Sequence, residues 1–169
     1  MSTNGLTVFD RTLQTTHIWL DEIMNEVGPD RQVAWKVLST VLHKLRDRLP
    51  VELAAHLGAE LPLLVRGVYY DQYQPAKMPV KCNTLEEFHA EVAQWLGDIR
   101  PVDPQVAVRT VFSVLTRHIP EGQIRNVQDS LPKSIRDSWR AISAELNGPD
   151  ARAAVDRAGA HLGAPPEGV

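Results

Sequence analysis

The chain carries one pattern twice. His17-Ile-Trp-Leu-Asp-Glu-Ile23 returns as Ala93-Gln-Trp-Leu-Gly-Asp-Ile99, sharing Trp-Leu and Ile at an offset of 76 residues. The offset shrinks to 73 where Ala34, Val41 and Leu42 meet Ala107, Val114 and Leu115. It shrinks again to 70, where Leu49-Pro50 meets Ile119-Pro120, Leu57 meets Val127, and Leu61-Pro62 with Val65-Arg66 meets Leu131-Pro132 with Ile135-Arg136. The two prolines stand twelve positions apart in both halves. Self-similarity of this kind marks a supersecondary unit that buries its apolar face against a copy of itself.

The repeated unit reads as helical. Ala34, Val37, Leu38, Val41, Leu42 and Leu45 recur at spacings of three and four, which places them on one helical stripe, and Ala107, Val111, Val114, Leu115 and His118 repeat it. Lys36, Lys44, Arg46 and Arg48 then fall on the wet side, interleaved with Asp47 as a solvated face would be. Asp103-Pro104 supplies an N-cap and a first-turn proline, and Thr84 with Glu87 forms a capping box. Each Leu-Pro closes one helix and opens another, with proline expected in the first turn. The expected helices are Val8 to Val27, Val33 to Leu45, Pro50 to Leu57 and Pro62 to Tyr70, then Leu85 to Gly97, Pro104 to His118, Glu121 to Asp129 and Pro132 to Leu146.

The expected fold is therefore all-α, a pseudo-symmetric helical bundle of two homologous units of about four helices each. Units 8–70 and 84–146 and the 71–83 connection form one domain, 1–146, and 147–169 is a flexible Ala/Gly/Pro-rich tail. Asn147-Gly-Pro should end the last helix, with Gly148 as a left-handed residue. At 169 residues and 43% hydrophobic the chain has material for one core. A net charge of −3 argues against a nucleic-acid partner. The longest uncharged stretches are nine residues, too short for a spanning helix, so no membrane is expected. Asp10 and Arg11 interrupt any apolar leader, and the expected location is the cytoplasm.

Leu61-Pro-Leu-Leu-Val-Arg-Gly-Val-Tyr-Tyr70, with Gln74-Pro75 and the restart at Thr84-Leu-Glu-Glu-Phe88, resembles the bacterial family called domain of unknown function 2267. The resemblance runs from about Phe9 to Trp139. It implies an all-helical fold of two homologous halves and no established activity. Tryptophan is common in that family where this chain has Tyr73, so aromatic character is kept.

The candidate interaction surface is Arg66, Tyr69, Tyr70 and Tyr73, which gathers all three tyrosines beside a guanidinium, together with Trp35, one position off its helix's apolar stripe. The competing reading has Arg66 bracing a carboxylate while the rings fill the joint between units. Gly67 is expected to let neighbouring helices approach, and Trp19 and Trp95 to pack in the core as repeat equivalents. His17, His43, His118 and His161 are scattered, with His118 expected in the core. Cys82, the only cysteine, is expected to be exposed or half-exposed. Glu86-x-x-His89 has the spacing of carboxylate-bridged di-iron bundles, but the equivalent first-unit positions hold Asp10 and Leu13. No hydrolase elbow or phosphate loop occurs, so no catalytic residue, metal or cofactor is assigned. The expected function is a non-catalytic module that binds another protein or itself. The alternative is a metal- or small-ligand-binding enzyme using Glu86 and His89.

Overall fold

The computed structural model describes residues 6–150 and 153. Among them the chain forms eight α-helices and no strand: α1 (Thr7–Val27), α2 (Arg31–Arg46), α3 (Val51–Ala59), α4 (Leu63–Tyr70), α5 (Leu85–Trp95), α6 (Pro104–His118), α7 (Glu121–Ser130) and α8 (Lys133–Leu146), with a single 3-10 turn at Pro75–Lys77. None is long and apolar enough to cross a membrane.

Helices α2 and α6 pack against each other at the centre. Their stripes supply Ala34, Val37, Leu38, Val41, Leu42 and Leu45 from one and Ala107, Val111, Phe112, Val114 and Leu115 from the other, all inaccessible to solvent. Around this pair, α1 lies on α2, α4 and α6, while α5 lies on α6, α8 and α2. Helix α3 pairs with α4, α7 with α8, and α3 with α7. A leucine at the centre of such a core contributes several kcal/mol; truncation of one to alanine costs about 2–5 kcal/mol.

The helix starts are local events. Asp30 Oδ1 accepts from the amides of Gln32 at 2.9 Å and Val33 at 3.2 Å, and Asp103 Oδ1 accepts from Gln105 at 2.9 Å. Thr84 Oγ1 accepts from the Glu87 amide, while the Glu87 carboxylate reaches one residue further back, to the Asn83 amide. Pro50, Pro62 and Pro132 of the Leu-Pro steps stand one place earlier than expected, whereas α7 starts at Glu121 as expected. Pro50, Pro62, Pro120 and Pro132 are N-caps with extended ψ between 138° and 149°, and each helix begins on the next residue. Each proline carbonyl still accepts the first helical amide, and the residue before it is buried as an apolar anchor.

Three further expectations are corrected. The Gly67 Cα faces open space, whereas a methyl group on Gly58 would stand 2.3 Å from the Tyr70 hydroxyl; the close approach belongs to Gly58. Trp19 is buried at 2% exposure, but Trp95 is 52% exposed, because its helix ends there and the chain turns away. Gly148 does not take a left-handed φ; α8 ends on Asn147 at φ −98°, and the chain is helical again at Pro149 and Asp150. Of the expected tail, 151, 152 and 154–169 lie outside the described residues.

Candidate functional site

The end of α2 is where charge enters the interior. Arg46 and Arg48, expected on a solvated face, are both buried. Arg48 bonds Glu91 and the Lys44 carbonyl and lies over Phe88, fastening α2 to α5. Arg46 directs Nε to Asp47 Oδ1 at 2.9 Å and Nη1 to the carbonyls of Tyr69 at 2.5 Å and Asp71 at 2.8 Å. Its guanidinium lies 4.8 Å from the Tyr73 ring centre. A planar fork with several donors suits this task, and an ammonium does not. The contacts hold the 71–83 segment against α2, aided by the Val80 amide on the Asp47 carbonyl.

That segment leaves α4 through Gln72, a non-glycine residue at φ 59°, and so stands off from α2. Between them opens a cleft of about 680 Å³, reaching to Trp95. Along its floor Lys36, Thr40 and Lys44 follow one another at four-residue spacing on one face of α2. Lys36 pairs with Asp98 at 3.6 Å near the rim. Thr40 is 5% exposed and lines the cleft, as does Tyr73, whose buried hydroxyl has no hydrogen-bond partner among the described residues. The Lys44 ammonium sits 4.5 Å from the Trp95 ring centre, makes no hydrogen bond or ion pair there, and is lowered from its ordinary pKa mainly by burial. His43 donates from Nε2 to the Val68 carbonyl, and burial lowers its imidazole below the usual value.

The residues singled out from the sequence are dispersed around this cleft. Arg66 reaches no carboxylate; it braces the α3–α4 turn by bonding the carbonyls of Ala59 at 3.0 Å and Leu61 at 2.9 Å. Tyr69 is interior, its hydroxyl donating to the Ala54 carbonyl at 2.6 Å, and burial pushes that phenol up. Tyr70 is partly exposed and meets Tyr69 edge-on at 4.9 Å, while Tyr73 lines the cleft. Trp35 is half-buried against the core. Cys82 is buried rather than exposed, its thiol facing the Thr84 carbonyl. His118 is a surface group, hydrogen-bonded to Glu22 at 2.8 Å and stacked on Trp19, because the last turn of α6 runs past the core. His161 lies outside the described residues. Glu86 is exposed and His89 half-buried, with burial lowering its imidazole. No group of three potential metal ligands is assembled among the described residues.

A second feature is apolar. Leu6, Val8, Phe9 and Leu13 of the α1 start and Leu63 and Leu64 of the first α4 turn are exposed, Phe9 at 46% and Leu13 at 42%. The two helix starts adjoin: the Leu64 amide donates to Thr12 Oγ1 at 3.1 Å, and Val8 and Leu63 line one hollow. Each of the six residues is between 42% and 53% exposed. The bordering charges are Asp10, Arg11, Glu60 and Arg66, two of each sign.

Sequence reasoning missed Thr40, His43, Lys44, Arg46 and Trp95 as a group. The available signal is the line of Lys36, Thr40 and Lys44 at four-residue spacing, masked by mixed charge along the same helix end, which usually faces water. A family model described as an uncharacterized conserved protein (DUF2267) matches residues 16–138. None of the curated proteins compared with the chain matches it.

Proposed function

The chain belongs to the uncharacterised conserved family DUF2267, and from that starting point we propose that it is a non-catalytic helical module of two pseudo-symmetric units that associates with a second copy of itself. The single observation carrying this reading is the apolar face of α1 and α4. Clustered exposed apolar side chains on a soluble chain often mark an interaction site.

Support for two related units comes from three sides. Burial along 51–70 and 121–140 agrees at every position but one, residue 60 against 130. The four proline caps share one conformation. The pairings α1–α2, α1–α4, α2–α4, α3–α4 and α1–α6 each have a counterpart in α5–α6, α5–α8, α6–α8, α7–α8 and α2–α5.

The units differ where the apolar face arises. Helix α8 continues to Leu146, and its Ile142 and Glu145 line a hollow with Leu85 and His89. Helix α4 stops at Tyr70, so Phe9 and Leu13, the repeat equivalents of Leu85 and His89, have no such cover. Balanced border charges favour a self-complementary contact, since a two-fold axis brings Asp10 and Arg11 of one copy to face opposite signs on the other. Sedimentation velocity over a wide concentration range tests this with wild type and Leu13→Glu. Wild type should pass from monomer to dimer as concentration rises, and Leu13→Glu should stay monomeric with an unchanged circular-dichroism spectrum. Identical sedimentation of the two proteins would refute it.

A further inference from the structure

We propose that the cleft between α2 and the 71–83 segment is a binding site for a small aromatic carboxylate. The cleft, at about 680 Å³, falls within the range of roughly 300–1,000 Å³ usual for small-molecule sites. It shares no lining residue with the α1–α4 face, so it is independent of self-association.

Two features define the ligand. The first is a cation with no direct ion pair, the Glu91 carboxylate that acts on it through its charge being bonded by Arg48. Arg46 has Asp47 and two carbonyls, and Arg48 has Glu91, but Lys44 faces the cleft half-buried with no acceptor among the described residues. A half-buried ammonium without an ion pair can take an anionic oxygen from a ligand. One turn earlier on the same face, Thr40, 95% removed from solvent, lines the cleft, and on the 71–83 side the Tyr73 hydroxyl is buried there without a hydrogen-bond partner among the described residues. Lys44 and Tyr73 therefore offer the cleft a charged and a neutral donor, which suits the two oxygens of a carboxylate. The second feature is Trp95, whose half-exposed indole at the cleft mouth offers a flat surface for an aromatic ring. His43 is held in one tautomer by the Val68 carbonyl, and burial disfavours its charged form. Asp47 is engaged by Arg46, which limits its repulsion of an incoming anion.

The test uses the full chain and 2-naphthoate as probe, with calorimetric titration and the indole resonances of an isotope-labelled sample as readouts. One-to-one binding is expected, with shifts at the Trp95 indole. Lys44→Met and Trp95→Ala should each weaken binding about tenfold or more. The neutral isostere 2-naphthylmethanol should bind at least tenfold more weakly than the acid, and acetate should not compete. Phe9→Glu should leave the affinity unchanged. Absence of saturable naphthoate binding to wild type, or equal affinity of wild type and either cleft variant, would overturn the proposal. Equal binding of the alcohol and the acid would overturn it too, since the Lys44 charge would then have no part. Both substitutions lie at partly exposed side chains, and an unchanged urea midpoint confirms folding in each variant.

Discussion

Removing the Arg46 guanidinium is the sharpest test of how the cleft is held. The side chain is 3% exposed and satisfies three acceptors, of which the Tyr69 carbonyl is buried. In Arg46→Met the apolar stem is retained, but that carbonyl, the Asp71 carbonyl and the Asp47 carboxylate lose their donor. Breaking a buried charge pair by deleting one partner costs about 3–5 kcal/mol, and a hydrogen bond to a charged group contributes about 1.5–3 kcal/mol. The Asp47 side chain keeps 17% of its surface in water, so part of the loss is recovered by hydration. The expected destabilisation is about 3 kcal/mol. With a urea slope of about 2 kcal/mol/M for a domain of this size, the midpoint should fall by about 1.5 M. Arg46→Lys should restore part of the loss, because an ammonium lacks the planar fork. Arg46→Met combined with Asp47→Asn should be less unstable than Arg46→Met alone, since no uncompensated carboxylate remains. A midpoint shift in Arg46→Met below about 0.5 M, or no relief from the second substitution, would refute the assignment of Arg46 as the clamp.

Two other expectations follow from local geometry. Gly67→Ala, into open space mid-helix, should stabilise by up to about 1 kcal/mol, whereas Gly58→Ala should gain nothing until Tyr70→Ala clears the ring; chemical denaturation of the four variants checks this, and an equal gain at both glycines would contradict it. Burial holds the folded His43 pKa below 6.5, so below that pH the unfolded chain binds a proton that the fold excludes. The His43 contribution is thus complete above pH 6.5 and is lost as pH falls; His43→Gln should flatten the decline of urea midpoint with acid, and an unchanged slope would count against it.

Much of the fold was legible because it is written locally. Aliphatic residues three and four apart on α2 and α6 declare helices, and proline after leucine or isoleucine declares each break, although not that proline would be the cap itself. What escaped depends on neighbours distant in sequence. Gly58 is crowded by a ring twelve residues later, and nothing near Gly67 distinguishes it from Gly58. Trp95 matches Trp19 in the repeat, yet exposure is decided by where α5 ends and by the ammonium of Lys44. Arg46 and Arg48 look like wet-face residues until the 71–83 segment and α5 close over them. The cleft itself has no sequence signature, since it exists only because the chain leaves α4 at Gln72 and returns across α2.

The central claim, association through the start of α1, is tested most directly by intermolecular relaxation in a mixed sample. One copy carries a spin label at Gln14→Cys, exposed beside the apolar face and not part of it, with Cys82 replaced by serine, and the other is isotope-labelled and otherwise wild type. The account predicts concentration-dependent broadening of amide signals centred on Leu6 to Leu13 and on Leu63 and Leu64 of the labelled copy. Broadening confined to other helices, or none at concentrations approaching millimolar, would contradict it.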